Sequence, residues 1–239
     1  MLRATRTAAT PTRRRRTPAA AGHATLQTSR EKLFIAASRE FAACGFDGAK
    51  VDRIAEAAGV NKAMLYYHFP NKAALYRDVL IDMFQSTGRA VRTVRDAGGS
   101  PETQIRGFIR AFVVEGQARP HFPPIWLREI AEGGRHLDDT VFANMRGVLA
   151  VLAEILNEGR AQGVFRDAPL LLVQAGIVAP LLFFMCGAPV RQRVAKLVPP
   201  GAVPPDLDAI VNHVERVTLM TLGVEATPER RAPKRTRRP

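Results

Sequence analysis

The sequence predicts an all-α protein made of an N-terminal three-helix domain and a larger C-terminal helical domain. Apolar residues recur at spacings of three and four along most of the chain, and no alternating strand pattern persists. Glycines, together with Asn, Ser and Asp residues that favour helix starts, divide this pattern into segments of helix length. With 46% hydrophobic residues over 239 positions, the chain has enough apolar side chains to bury a core.

Positive charge is concentrated at the two ends of the chain. The net charge is +13, and the first 22 residues hold six arginines and no acidic residue. Residues 228–239 hold six basic residues and one acidic residue, which leaves the body nearly neutral. These ends have too few large apolar side chains to offset the entropy of ordering. We therefore expect a disordered basic arm over residues 1–27 and a disordered basic tail over residues 226–239.

The residue types exclude several classes of protein. Two cysteines, Cys44 and Cys186, are too few and too far apart for a disulfide-stapled or Cys-rich zinc domain, and we expect free thiols in a reducing cytosol. The chain has no phosphate loop, dinucleotide fingerprint, nucleophile elbow or histidine pair at metal spacing, so no enzyme, cofactor or metal is predicted. No apolar run of signal-peptide length precedes residue 33, and a cytoplasmic location is expected.

The first helix is predicted over about residues 29–44. Thr28 and Glu31 have the spacing of a capping box, and Gly45 is placed to end the helix. Leu33, Phe34, Ala37 and Phe41 would share its apolar face.

Two short helices and one long helix follow in the sequence. Residues 51–58 form about two turns with one apolar face, closed by Gly59. Asn61 is suited to cap the second short helix, which ends before a proline. Asn71 begins a long helix that runs to about Asp96. We place the first domain at residues 28–75 and the C-terminal domain at residues 76–225.

The C-terminal domain is predicted to contain five more helices. The first follows a Ser100–Pro101 cap, and a Pro-rich elbow comes after it. The others are predicted at about 125–132, 139–162, 168–187 and 207–222, with a basic, Pro-rich loop over 191–205 that can contain one turn of helix.

Residues 168–190 contain no charged side chain, and an uncharged segment of this length can span a membrane. Three prolines and the central Gln174 oppose insertion into a bilayer. A helix that is apolar all round can equally lie at the centre of an oligomer. We favour that interpretation and predict no membrane contact.

Residues 51–69 have the pattern of a helix-turn-helix, in which the second helix can enter the major groove of DNA. The apolar side chains of the unit hold it together, so polar and aromatic side chains face outward on the second helix. Hydroxyl, imidazole and ammonium groups bind phosphates, and small apolar side chains suit a thymine methyl group. Each aromatic residue taken singly is better explained as an ordinary half-buried side chain, but the order of residues in the whole segment favours DNA binding. The outward set is Asn61, Lys62, Ala63, Met64, Tyr66, Tyr67 and His68, and Lys72 adds a cation on the same side.

The stretch GFDGAKVDRIAEAAGVNKAMLYYHFPNKAALYRDVL resembles the DNA-binding region of TetR-family transcriptional regulators. The resemblance covers about residues 29–80, and its most specific part is GVNKAMLYYHF with the lysine downstream. It implies a homodimer that binds a palindromic operator in double-stranded DNA and is released when a small molecule enters the C-terminal domain, as a repressor is. It also implies that the DNA is lined by Lys62, Ala63, Met64, Tyr66, Tyr67, His68 and Lys72.

Two departures from the family pattern occur in this region. Ala49, Lys50 and Val51 stand where Ser or Thr is common, so a hydroxyl cap is missing and Lys50 is expected to replace its phosphate contact through charge. Ala63 stands where Gly is frequent, and its methyl group restricts how closely the backbone approaches a phosphate.

Dimerisation and effector binding are expected in the C-terminal domain. The helices near 168–187 and 207–222 offer the best surfaces for a four-helix bundle across a two-fold axis. The effector is expected to be an apolar small molecule, although each residue proposed for its pocket, taken singly, is better explained as plain core. The pocket candidates are Phe112, Trp126, Phe142, Met145 and Phe183, with His121, Arg128 and Glu129 as possible polar groups.

Two other functions stay open on sequence alone. The chain can be a nonspecific nucleic-acid-binding protein that acts through its basic arms, or a membrane protein anchored by residues 168–190. Deleting the arms separates the first from a sequence-specific regulator, because only nonspecific binding would collapse. The second is tested by the state of the purified chain, because a dimer that stays in solution without lipid would exclude a membrane protein.

Overall fold

The computed structural model describes the backbone of residues 18–197 and 205–224, and the side chains of residues 28–197 and 205–224. Ten α-helices and no strand occur within these ranges, which confirms the all-α fold. The helices are α1 Pro18–Gly48, α2 Val51–Ala58, α3 Lys62–His68, α4 Lys72–Asp96, α5 Pro101–Ala118, α6 Phe122–Ala131, α7 Asp139–Ala161, α8 Leu170–Cys186, α9 Ala188–Val194 and α10 Leu207–Thr221.

Helix α1 begins earlier than the sequence predicts. It starts at Pro18, so Thr28 lies inside the helix and the predicted capping box is wrong. Proline suits a first helical turn, and residues 19–21 are alanines, the strongest helix formers. Residues 18–27 of the predicted disordered arm are therefore helical. Residues 1–17, and the tail predicted as disordered over 226–239, lie outside the described residues.

The first three helices pack their apolar side chains together at one end of a core that continues into the rest of the chain. Leu33 and Phe41 of α1, Ile54 of α2, Leu65 of α3 and Phe69 just after α3 are all at most 2% exposed. Gly59 ends α2 and separates it from α3. Its φ is 66°, and its N–H donates a hydrogen bond back to the last turn of α2. We call the unit of residues 28–75 the reader.

Helix α4 connects the reader to the C-terminal domain. Its first turn is capped by Asn71, whose side chain accepts a hydrogen bond from the Ala74 N–H at 2.8 Å. Leu75 is buried near its start and Val91 near its end, and the helix packs against α1 as well as α5 and α7. One rigid element of 25 residues therefore touches both domains.

In the C-terminal domain α5 and α7 pack on α4, whereas α8 and α10 pack on each other and on α5. Glu215 of α10 is 1% exposed, and its carboxylate accepts hydrogen bonds from Arg106 at 2.7 Å and Arg110 at 2.6 Å, both on α5. A buried carboxylate is tolerated only when it is paired, so this contact fixes the α5–α10 arrangement. The Pro-rich elbow is more helical than predicted: α6 already begins at Phe122, because prolines fit a first turn.

Helix α8 is buried along one face only in the single chain. Val173, Ile177 and Leu181 are at most 4% exposed, whereas Leu172 is 69% exposed and Phe183 75% exposed. Residues 191–194, at the start of the predicted Pro-rich loop, belong to α9, which agrees with the one helical turn expected there; residues 198–204 lie outside the described residues. Among the described residues no single helix meets the length and hydropathy of a membrane span; α8 and α9 do so only as a pair bent by 72°.

Candidate nucleic-acid interface

Helix α3 has one buried side and one exposed side. Asn61 starts it, with a side chain that accepts a hydrogen bond from the Met64 N–H at 2.8 Å. Leu65 faces the reader core and is fully buried, while Tyr66 is 46% exposed and Tyr67 69% exposed. The order of residues in two helical turns therefore sets which side chains face solvent. Lys62 and Ala63 share the exposed side, and Met64 is half-buried.

His68 lies less far outward than the sequence predicts. Its ring is half-buried and meets the Tyr67 ring edge-on at 5.1 Å between centroids. The Nε2 atom is buried and has no hydrogen-bond partner among the described residues. His68 therefore supports the position of Tyr67 in this structure, and its contact with DNA stays a prediction.

Lys62 is held by an acidic residue that the sequence analysis did not single out. Its Nζ lies 2.9 Å from Asp52 Oδ1 of α2, and this hydrogen bond raises the pKa of Lys62. Both side chains are more than half exposed, so solvent screens the pair and a phosphate can compete for the ammonium group. The opposite charges of Asp52 on α2 and Lys62 on α3 are the one feature of the sequence that could have indicated this pair.

Lys72 braces the reader from within. Its Nζ donates hydrogen bonds to the carbonyl oxygens of Phe46 at 2.9 Å and Ala49 at 3.2 Å, and it lies 4.5 Å from the centre of the Phe46 ring. The ammonium group therefore links the start of α4 to the last turn of α1 and to the loop before α2. The predicted DNA contact of Lys72 would use its remaining donor.

The start of α2 lacks a side-chain cap, as the residues there predict. Lys50 occupies the capping position with no side-chain hydrogen bond to the helix, and its own side chain is exposed. The first-turn N–H groups of a helix have no intrahelical acceptor and suit an anion. The exposed Lys50 side chain and these N–H groups thus lie together at the start of α2, where both can contact a phosphate.

Arg53 is a second residue that the sequence analysis missed. Its guanidinium binds Glu40 Oε1, with Nε at 2.9 Å, and lies 2.9 Å from the Cys44 sulfur, both on α1. The Glu40 hydrogen bond is the main cause that raises the pKa of Arg53. This contact sets the orientation of α2 on α1, and therefore the position of α3 behind it.

The predicted effector residues do not form one pocket. Phe112 and Trp126 belong to one aromatic cluster, in which Phe84 lies 5.1 Å from Trp126 and Phe122 lies 5.8 Å from Phe112. Met145 is half-buried against the core. Phe142 and Phe183 are 41% and 75% exposed in the single chain and do not join this cluster, so their part in effector binding stays a prediction.

Other side chains line the cavities that the described residues form. A cavity of about 820 Å³ lies between α1, α4 and the elbow before α6, and His121 lines it together with Phe34 and Asp82. Burial lowers the pKa of His121 and its Nε2 atom has no partner among the described residues. Arg128 is exposed and donates to the Ala43 carbonyl oxygen, whereas Glu129 is buried.

Comparison with known proteins points to one family. Residues 33–79 match the model of the tetR family of bacterial regulatory proteins. The chain is 29% identical over 161 residues to the HTH-type transcriptional repressor NicS of Pseudomonas putida, covering 65% of this chain and 74% of that one. It is 24% identical over 178 residues to the regulator RutR of Escherichia coli, covering 71% and 84%.

A third relative and a solved structure extend this comparison. The HTH-type transcriptional activator FasR of Mycolicibacterium smegmatis is 40% identical over 87 residues, which are 35% of this chain and 38% of that one. The crystal structure of HlyIIR, a hemolysin II transcriptional regulator, superposes with a TM-score of 0.62 at 21% identity, covering 80% and 97%. The fold therefore agrees over nearly the whole of that regulator. Residues 33–79 therefore form a DNA-binding region of the TetR-family type, and with these HTH-type relatives the chain is a sequence-specific DNA-binding transcriptional regulator.

Proposed function

We propose that the chain represses transcription as a homodimer bound to a palindromic operator, and that an apolar small molecule releases it. One observation carries the proposal: α3 buries Leu65 in the reader and leaves Tyr66 and Tyr67 exposed beside Lys62. This arrangement suits a helix laid in a major groove, with tyrosine hydroxyls and ammonium groups on phosphates and Ala63 and Met64 near bases. A bacterial operator lies in the cytoplasm, which is where the proposal places the chain.

The exposed faces of α8 and α10 support the dimer. Leu171, Leu172 and Phe183 on α8 and Val217 and Met220 on α10 are between 43% and 75% exposed in the single chain. An exposed apolar surface of this kind marks an interaction site, and a second copy offers the same surface in return. Two readers joined in this way would present their recognition helices about 34–36 Å apart, which is one turn of DNA.

The aromatic cluster between α4, α5 and α6 is the proposed effector site. Phe112 and Trp126 contribute to it, with Met145 packed against the same core, while Phe84 lies on α4 itself. A ligand that separates these rings would move α4 and hence the reader, provided that it binds one helix arrangement better than the other. Trp126 is the one tryptophan in the chain, so its fluorescence reports on ligand binding directly.

The DNA-binding proposal is tested by selecting fragments of the source genome with the purified chain. We expect enrichment of a two-fold-symmetric sequence. Tyr67→Ala should weaken binding to it by about tenfold or more, as the loss of a specific contact does. The matched control is Phe142→Ala, an exposed aromatic residue on α7 far along the chain. Equal affinities of the two variants, or no symmetric sequence among the enriched fragments, would contradict the proposal.

The role of the basic ends is tested with the same operator. Deletion of residues 1–17 and 226–239 should lower the salt dependence of binding but preserve the preference for the operator over scrambled DNA. Binding that disappears for both sequences would favour nonspecific attraction through the ends. The direction of regulation is read from a reporter gene, because NicS is named a repressor and FasR an activator.

A further inference from the structure

A buried carboxylate lies where the C-terminal domain meets the reader. Glu129 of α6 is 1% exposed, and its Oε1 atom accepts a hydrogen bond from the Tyr76 hydroxyl of α4 at 2.6 Å. His136 Nδ1 lies 2.8 Å from the same oxygen. The other oxygen, Oε2, is buried and has no hydrogen-bond partner among the described residues.

The unpaired oxygen of Glu129 requires an explanation. Buried polar atoms are almost always hydrogen-bonded, and an exception marks a missing proton, water or ion. The Tyr76 hydroxyl and His136 Nδ1 both contact Oε1, so neither of them satisfies Oε2. The pocket thus has one acceptor more than its neighbours satisfy.

Two further metal-ligating side chains lie beside Glu129. Glu132 follows one helical turn later, and His136 comes from the loop between α6 and α7. One ligand atom from each of the three residues lies within 4.8 Å of the other two. Ligands about 2.1 Å from a tetrahedral Zn²⁺ are roughly 3.4 Å apart, so a rotation of the exposed Glu132 side chain closes the remaining distance.

The surroundings give this cluster access to solvent and a fixed orientation. His136 and Tyr76 line a cavity of about 520 Å³ that also contacts Asn71, the residue that caps α4. The imidazole ring is held between Phe46, with centroids 4.3 Å apart, and Tyr76, at 5.3 Å. A ring held in this way and a carboxylate fixed by an outer hydrogen bond are the supporting contacts that metal ligands need.

One basic residue competes for the site. Arg135 lies 2.8 Å from Glu132 Oε2 and 2.6 Å from Asp47 Oδ2, and its guanidinium is about half exposed. An exposed pair of this kind contributes little, because solvent screens it. Arg135 can keep Asp47 while Glu132 turns toward the buried carboxylate.

We propose that Glu129, Glu132 and His136 bind one divalent transition-metal ion of the Zn²⁺ class, with water in the remaining position. The imidazole nitrogen selects such ions over Mg²⁺ and Ca²⁺, which prefer oxygen ligands alone. Tyr76 is a positioning residue that holds Glu129 from α4. An ion here would fasten the end of α6 to the loop that follows it, and the Tyr76 hydrogen bond to Glu129 would link this site to the first turns of α4.

The test uses the full-length chain without DNA, so its result is independent of the operator and effector proposals. Purified protein is stripped with a chelator, dialysed against Zn²⁺ and analysed for bound metal, and the affinity is measured by calorimetry. We expect one ion per chain. Glu132→Gln and His136→Gln should each weaken binding by at least as much as the roughly 10–100-fold typical of losing an outer partner. Tyr76→Phe should weaken it within that range and leave the count at one.

The controls separate this site from other sources of metal binding. His213→Gln, an exposed histidine on α10, should bind as the wild type does. Co²⁺ in the site should absorb without a thiolate charge-transfer band, which excludes Cys44 and Cys186 as ligands. Circular dichroism checks that each variant is folded. The proposal fails if the wild-type chain takes up no stoichiometric metal, which would leave a proton or water on Oε2, or if binding survives both Glu132→Gln and His136→Gln.

Discussion

The reader and the α8–α10 surface differ in how they use apolar side chains. In the reader, Leu65 and Phe69 are at most 2% exposed and pack against residues of the same short unit, and the outer side of α3 is polar and aromatic. On α8 and α10, Phe183 and Met220 remain more than half exposed although their helices are well packed on the other side. The reader core is therefore complete within one chain, whereas the C-terminal domain leaves an apolar surface that a second molecule can cover.

The strongest test of this division compares a buried and an exposed aromatic residue that lie close together in the reader. Phe69→Ala should lower the free energy of unfolding by about 3–5 kcal/mol, since it removes a buried aromatic ring. Tyr67→Ala, two positions earlier, should change it by less than about 0.5 kcal/mol because the side chain is exposed. Chemical denaturation measures both values. Similar losses for the two variants would show that α3 has no separate outer side.

The α8 surface is tested by placing a charge on it. Phe183→Asp should weaken dimerisation by about 2–4 kcal/mol, as the loss of a central interface residue does, and leave the monomer folded. Val114→Asp on α5 is the matched control, because Val114 is 59% exposed on a different helix. Analytical ultracentrifugation gives both dissociation constants. If the two aspartates have the same effect, the α8 surface is not the interface.

The buried Glu215 tests whether the C-terminal domain depends on a polar contact inside its core. Glu215→Gln removes the charge that Arg106 and Arg110 bind, and we expect a loss of about 1.5–3 kcal/mol in the free energy of unfolding. The expected loss is smaller than for Phe69→Ala because both guanidinium groups can return to solvent. Thermal unfolding measures it, and no loss at all would mean that packing alone fixes α10 on α5.

Helix caps give the smallest effects and compare the two domains directly. Asn61→Ala in the reader and Asp138→Ala at the start of α7 should each cost about 1 kcal/mol. Only the second contribution should depend on pH. Accepting the Val141 N–H, and to a lesser extent the nearby Arg77, lowers the pKa of Asp138 from its usual 3.8.

The sign of that pH dependence follows from the direction of the pKa shift. The folded chain holds Asp138 ionised more strongly than the unfolded chain, so the cap stabilises fully above pH 3.8 and loses its effect as pH falls below that value. Stability curves of the wild type and Asp138→Ala should therefore converge in acid. Curves of the wild type and Asn61→Ala should stay parallel, since an amide does not titrate.

Much of the fold was predictable because its signals are local. The caps at Asn61, Asn71 and Asp206 lie where the sequence placed them, and each accepts a hydrogen bond from an N–H group three residues later. A cap and the helix that it starts are neighbours in the chain, so residue type and spacing are sufficient to predict them. The start of α1 could not be predicted, because the arginine and proline content of residues 1–27 indicates disorder more strongly than the three alanines at 19–21 indicate a helix.

The candidate DNA interface was predictable in membership but not in contacts. The sequence indicated which side of α3 faces outward, since Leu65 and Phe69 are the apolar pair that the unit must bury. It gave no sign that Asp52 binds Lys62 or that Lys72 donates to the Phe46 and Ala49 carbonyl oxygens. Those partners lie 10 to 26 positions away and meet only when the helices pack.

The sequence by itself determined most of the helices, the turn at Gly59 and the family resemblance, because periodicity, capping and positive φ at glycine act over a few residues. Only the tertiary structure decided that Phe183 lies outside, that Glu215 is buried with two arginines, and that Glu129, Glu132 and His136 meet above Tyr76. Each of these depends on which face of a helix its neighbours cover. That choice is made by the packing of segments far apart in the chain.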